Sequence, residues 1–276
     1  LGSKIFFFIG HKLLMKRNDI INKYYELSNL KNYFSKNITL WFSRNKRKLP
    51  WRTKISQENF SYFVFVSEFM LQQTQVKTVI PYFLRFVAKW PSVTLLSKAN
   101  DREVLMFWQG LGYYSRGRNL LKSAKIIVSD YGGKIPVKEE ELRKLPGVGD
   151  YTAAAIRSIA FNKRAVAIDG NVKRVIARFF GLEGTLESNL DTIAKIANLI
   201  CPNSNNRNYT QGVMELGAII CKPKEPNCSQ CMISNHCIAF NSNKIDSIPL
   251  PRRRLQKKKL KCVIYLAIKN NESVLL

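Results

Sequence analysis

Negative charge is what this 276-residue chain most lacks: 19 Asp and Glu stand against 45 Lys and Arg, a net charge of +26. A solvated globular protein has no need of that imbalance. It fits a polyanionic partner, nucleic acid first and an anionic membrane surface second. Two sticky tails do not account for it, because residues 1–50 carry +9 and residues 251–276 carry +7, leaving +10 for the middle. A general enrichment in Lys, alongside Asn, Ile and Phe, is the bland alternative. Long apolar runs are also missing. The longest near the start, residues 5–9, falls far short of the ~20 residues that cross a bilayer, and no small-residue cleavage site follows it. Neither a membrane-spanning segment nor a secretory signal is therefore expected. No internal repeat is present. Disordered and collagen-like chains are excluded by 46% hydrophobic and 11% aromatic residues. Residues 1–27 carry no decisive pattern and are left as an unassigned extension, with Met15 a candidate initiator.

What is present is helical periodicity. Apolar and polar residues recur without strand alternation over 60–76, 79–89, 101–108, 116–131, 138–144, 151–161 and 172–180, and again over 190–200 and 210–220. Short Gly- or Pro-bearing turns separate these stretches, including Gly110-Leu111-Gly112 and Pro146-Gly147-Val148-Gly149. The expectation is an all-α protein with short connections. Past residue 241 the character changes. Pro249, Pro251 and two triple-basic runs make 241–261 an exposed basic linker, and β-branched residues over 262–276 read as the opening hairpin of a β-containing domain.

Cysteine is sparse but clustered. Of six, Cys221, Cys228, Cys231 and Cys237 form C-x6-C-x2-C-x5-C. Zinc usually shows two C-x2-C pairs or a Cys/His set, and only one such pair is present, although His236 adjoins Cys237. Disulfides do not suit a nucleic-acid binder without a secretory signal. Four thiolates on an irregular loop suit a [4Fe-4S] cluster, which tolerates varied spacing. That assignment leads, with zinc and disulfides behind it.

Leu145-Pro146-Gly147-Val148-Gly149 lies between two helical stretches. Glycines flanking one apolar residue allow a tight turn whose N–H groups, with the next helix N-terminus, make a phosphate site. Alone, the motif is equally a helix–helix corner. Here it is followed by the apolar segment 165–168 ending in Asp169-Gly170-Asn171.

Hairpin, Asp169 and the four-cysteine loop together resemble the endonuclease III superfamily of helix–hairpin–helix DNA glycosylases, and within it the adenine DNA glycosylase (MutY) family. The match is carried by Leu49-Pro50-Trp51-Arg52, by 67–76 (SEFMLQQTQV), by Gly110-Leu111-Gly112-Tyr113-Tyr114-Ser115-Arg116, by 145–153, and by Asp169 to Arg174. It spans about residues 30–276. The resemblance implies a two-domain fold: 28–57 with 165–240 as a helical domain holding the cluster loop (221–237), and 58–164 as a six-helix barrel with the hairpin at about 140–161. The hairpin past 262 resembles the start of a truncated MutT-like C-terminal domain. The implied activity is hydrolysis of the N-glycosidic bond of adenine mispaired with 8-oxoguanine or guanine in double-stranded DNA, by a monomer that bends the duplex between its domains. The compartment is the cytoplasm, at the nucleoid, for a bacterial chain, and the nucleus or an organelle for a eukaryotic one.

That chemistry needs one carboxyl protonated near neutral pH and another kept ionised. Glu68 suits the first role on local grounds, since Val64, Phe65 and Leu71 surround it on its helix and apolar surroundings raise a carboxyl pKa. An exposed Glu on an amphipathic helix is the alternative, and the resemblance places Glu68 on the family's catalytic acid. Asp169 reads as a helix N-cap and matches the catalytic Asp that stabilises the sugar cation; helix N–H groups would keep it ionised. Asn171 matches a residue positioning those groups and water. Tyr151 stands where lyase relatives carry a Schiff-base Lys, and a phenol forms no imine, so a monofunctional enzyme leaving an intact abasic site is implied. Tyr113 matches a wedge beside the flipped base, Gln73 a side chain filling the vacated space, Trp51 and Arg52 the adenine pocket, and Gln211 a pocket amide that bonds the base. Tyr114 is assigned to core packing. The segment between Arg52 and Glu68 is longer than the family pattern. Two rivals stay open: a thymine (T·G) mismatch glycosylase, opposed by the run Gln72-Gln73-Thr74-Gln75, and a non-catalytic iron–sulfur DNA-binding protein.

Overall fold

The computed structural model describes residues 17–53, 56–251, 267–269 and 273–275. They form an all-α body with one two-stranded hairpin, and none of the described helices is long and apolar enough to cross a membrane. In chain order the helices are α1 (Arg17–Asn45), α2 (Gln57–Leu71), α3 (Val76–Lys89), α4 (Val93–Ser97), α5 (Asp101–Trp108) and α6 (Ser115–Tyr131). There follow α7 (Glu139–Arg143), α8 (Asp150–Ile159), α9 (Gly170–Phe180), α10 (Leu190–Ile200), α11 (Asn206–Ile219) and α12 (Ile238–Asn241). Strands β1 (Ala267–Lys269) and β2 (Ser273–Leu275) pair antiparallel with Ile268 opposite Val274.

Two buried cores organise the helices. The first draws on residues 49–167 and is built on aromatic packing, with Phe65, Phe69, Phe83, Phe86 and Trp108 fully buried. The second joins Phe34 and Ile38 of α1 to α9, α10, α11 and the cysteine loop. Leu49 and Trp51, which the sequence boundary sets beside the second core, pack in the first. The connection from α1 thus crosses between the cores, and Met214 of α11 touches both.

Three differences from the sequence reading bear on the site. The predicted helix 60–76 ends at Leu71, because Gln72 leaves helical geometry and Gln73 adopts φ +59° before α3 begins at Val76. The unassigned N-terminal stretch contains part of the 29-residue α1. From Leu30 on, its apolar stripe gains its burial by docking on α9, α10, α11 and the cysteine loop, which local periodicity does not reveal. Tyr114, assigned to the core, is 43% exposed, because it sits at the N-cap of α6 and follows the turn outward.

Candidate active site

Helix α2 starts from a capped N-terminus, with the Ser56 hydroxyl accepting from the Asn59 N–H. It is apolar on most of its circumference and is therefore buried in the first core. Glu68 is carried into that setting. It is 6% exposed, and its Oε2 has no hydrogen-bond partner. Burial pushes its pKa up to about 7, the nearby Asp169 charge adds to the rise, and a hydrogen bond with Tyr151 opposes it. Tyr151, at the start of α8, is itself driven well above its usual range by burial and then by the two carboxylates. Both groups are thus held as proton carriers near neutrality rather than as charges.

Asp169 is the N-cap of α9. Its Oδ1 accepts from the Val172 N–H at 2.7 Å and its Oδ2 from the Asn171 side-chain amide at 3.1 Å. The Asn171 carbonyl oxygen accepts from Arg174 at 2.8 Å, and Arg174 also donates to the carbonyls of Gly217 (2.7 Å) and Cys221 (2.8 Å). A Cβ on Gly217 would lie 2.6 Å from the Asn171 Cβ, so α9 and α11 approach this closely only at glycine. The carboxylate is therefore fixed at both oxygens, and its orienting amide is braced in turn against the cysteine loop.

These groups open onto a cleft of about 530 Å³ between the two cores, lined by Trp51, Arg52, Glu68, Tyr151, Asp169, Asn171, Gln211 and Glu215 among others. Glu215 is 2% exposed and holds Arg47 and Arg52, at 2.8 and 3.0 Å. Burial alone would raise its pKa, but the hydrogen bonds from Arg47 and Arg52 outweigh it and hold it at about 2. Arg52 Nε further donates to the Gln211 carbonyl at 2.9 Å, while the Gln211 amide donates to the Arg207 carbonyl at 3.1 Å. Gln211 is thereby pinned at both ends, with one carbonyl lone pair spare. Sequence reasoning missed Arg47 and Glu215, which lie 168 residues apart and carry no motif.

The remaining predicted contact residues lie on three turns, of which 72–75 borders the cleft. Gln73 and Tyr113 are exposed, Tyr113 by 62%, and both have positive φ (+59° and +49°). Gly147 has φ +80°, and a Cβ there would stand 2.9 Å from Asn119 and Phe69 side-chain atoms, so the hairpin turn requires glycine. Gly149 is the N-cap of α8 with open space around it, free for a phosphate to approach the helix N-terminus. Arg116, which closes the 110–116 sequence motif but has no role assigned there, is 7% exposed and ties the Gln73 and Tyr113 turns together.

On the far side of α9, Cys221, Cys228, Cys231 and Cys237 line one small cavity whose other walls include Val175, Phe179, Leu216 and Ile233. Arg178 donates to Cys221 Sγ at 3.5 Å and to the Lys222 carbonyl at 2.7 Å. Burial and the neighbouring thiols raise Cys231 to about 12 and Cys237 to about 11, so both hold their protons near neutral pH unless a cationic partner takes them as thiolates. Among the described residues no three His, Cys, Asp or Glu side chains are grouped as a single-ion site requires. Four cysteines lining one apolar cavity, with the buried guanidinium of Arg178 beside Cys221, are a donor set that suits an iron–sulfur core. His236 instead stacks edge-on against Tyr33, and Cys201 is buried elsewhere beside Asn206.

Residues 66–201 match the family model of the HhH-GPD superfamily base excision DNA repair proteins. The chain is 38% identical over 231 residues to an adenine DNA glycosylase of Buchnera aphidicola from Schizaphis graminum, covering 82% of this chain and 65% of that one. To its counterpart from the Acyrthosiphon pisum symbiont it is 37% identical over 245 residues, covering 87% and 69%. It spans 39–42% of the length of the human, rat and mouse relatives it matches. Among solved structures, a thermostable thymine-DNA glycosylase superposes with a TM-score of 0.68 at 29% identity, over 78% of this chain and 98% of that one. With such identity sustained across more than two thirds of a relative, the chain belongs to the adenine DNA glycosylase family of the helix–hairpin–helix base excision repair superfamily.

Proposed function

We propose that the protein hydrolyses the N-glycosidic bond of adenine mispaired with 8-oxoguanine or guanine in duplex DNA, as a monomer, and leaves an intact abasic site. The observation that carries this reading is the pair in the cleft: a buried Glu68 with a pKa of about 7 and one oxygen unpartnered, near an Asp169 held by two hydrogen bonds. Glu68 hands its proton to a ring nitrogen of the base, making it a neutral leaving group. Asp169, fixed and N-capping, stabilises the positive charge that develops on the sugar. Asn171 keeps Asp169 aimed and offers its amide to the incoming water. Tyr151 supports Glu68 and has no amine with which to hold the sugar covalently. Trp51, Arg52 and Gln211 receive the base, while Gln73 and Tyr113 occupy and prop the gap that it leaves.

Cys221, Cys228, Cys231 and Cys237 would hold a [4Fe-4S] cluster, whose contribution when bound is to cross-link the loop and fix its shape. Lys222 and Lys224 then present charge to phosphate, and Arg174 transmits the loop's position to Asn171. The protein works wherever its DNA is, at the nucleoid of a bacterium or in the nucleus or an organelle of a eukaryote. The test is base release from an A·8-oxoguanine duplex by the wild-type chain and by Glu68→Gln. Loss of release with retained duplex binding is expected. Equal release by the variant would refute the assigned acid. The likeness to a thymine-DNA glycosylase favours one second reading, release of thymine from T·G, which the same assay separates by the base found.

A further inference from the structure

Two turns, 72–75 after α2, which lines the cleft through Thr74 and Gln75, and 110–114 before α6, each hold a non-glycine residue in the left-handed region: Gln73 at φ +59° and Tyr113 at φ +49°. Such a conformation is strained for a residue that carries a Cβ and persists only where the surroundings impose it. Both turns are imposed by one guanidinium. Through one nitrogen Arg116 donates to the carbonyls of Met70 (2.9 Å) and Phe69 (3.3 Å), the last carbonyls of the Glu68 helix, and to that of Gln72. Through the other it donates to Thr74 Oγ1 (3.0 Å) in the first turn, and to the carbonyls of Gly112 (3.0 Å) and Leu111 (3.3 Å) in the second. Its plane lies 5.4 Å from the Tyr113 ring. Helix α2 ends without a glycine cap, and the arginine answers the carbonyls that would otherwise be orphaned. The first turn is tied on to the hairpin as well, since the Gln72 amide donates to the Gly147 carbonyl at 3.2 Å and to Thr152 Oγ1 at 3.3 Å.

We infer that Arg116 is a positioning residue for base extrusion: it locks the Gln73 and Tyr113 turns and the end of the Glu68 helix into one rigid unit. The wedge, the plug and the acid then meet the duplex in fixed register. The two terminal nitrogens of this arginine are spent on three segments and its unpaired Nε is buried, so its effect reaches the base only through those segments. This rests on the function proposed above. It adds that separating the mispaired adenine from the stack depends on a residue that touches neither base nor phosphate.

The experiment uses the full chain and a duplex carrying 2-aminopurine beside the target adenine opposite 8-oxoguanine, where emission rises as stacking is lost. Wild type and Glu68→Gln should give the same rise, Glu68→Gln without base release. Arg116→Lys keeps the charge but cannot reach both turns. It should melt as a folded protein and bind duplex with unchanged affinity, since phosphate contacts dominate binding. Its emission rise should be lost, and base release should fall on the order of a hundredfold, as misplacement remote from the chemistry can cause. Thr74→Val removes one acceptor and should give a smaller loss of the same kind, which decides the matter should Arg116→Lys not fold. A full emission rise in either variant, or release lost while the rise is kept, would overturn the clamp. Wild type that gives the rise yet releases thymine or no base would instead overturn the functional reading and leave the clamp standing.

Discussion

Replacing Glu68 by Gln should make the protein inactive and, above neutral pH, more stable. Its carboxyl moves from an ordinary 4.5 to about 7 on folding, chiefly through burial. The sign follows from proton counts. Between those two values the folded chain binds a proton that the unfolded chain has released, so stability falls as pH rises, and the loss is complete above about 7. A shift of that size corresponds to about 3 kcal/mol at pH 8, with most of it absent at pH 5. Gln is uncharged at both pH values and escapes that penalty. The gain of Glu68→Gln over wild type in urea unfolding should therefore widen by about 2–3 kcal/mol from pH 5 to pH 8. Catalysis should move the other way. Single-turnover base release needs the protonated carboxyl, so wild type should lose rate about tenfold per pH unit above about 7. The variant should be slower by roughly 10²–10⁴ below about pH 7, and the gap should narrow above it as wild type loses rate. A rate that stays flat from pH 6 to 8.5, or a variant whose stability gain is the same at pH 5 and pH 8, would refute the reasoning.

Glu215→Gln should destabilise the fold by about 3–5 kcal/mol, because it leaves Arg47 and Arg52 without their buried carboxylate. Unfolding in urea measures this, and a change under 1 kcal/mol would contradict it. Borohydride added during turnover should trap little covalent protein–DNA complex with Tyr151 in place, and gel analysis showing efficient trapping would contradict the monofunctional assignment. Cys231→Ser should lower bound iron, read by absorbance near 400 nm and by iron content, and with it the duplex affinity. Unchanged iron would remove Cys231 from the ligand set.

The residues that the sequence reading assembled into one cleft share a property: each sits in a short segment whose chemistry is local. Asp169 precedes Gly170 and a helix, and becomes an N-cap whatever surrounds it. Gly147 sits in a turn that needs positive φ, and the apolar neighbours of Glu68 on its own helix already foretell a raised pKa. The parts that were not legible depend on distant partners. Helix α2 stops at Leu71 because Arg116, 45 residues later, takes its last carbonyls. From Leu30 on, α1 is held by packing on α10 and α11, which no local pattern reveals. The Arg47–Glu215–Arg52 network and the Arg174 brace join side chains that no local pattern pairs. Tyr114 misled because its aromatic ring suggests core while its backbone follows an outward turn. Residues 252–266, with their basic runs, and 1–16 lie outside the described residues.

The central claim is tested most directly by single-turnover incubation with duplexes bearing A·8-oxoguanine, A·G and T·G, each analysed with and without alkali. The account predicts strand scission at the adenine position only after alkali, with free adenine released and the T·G duplex intact. Scission without alkali, release of thymine, or no release from any duplex by protein with its iron bound would contradict it.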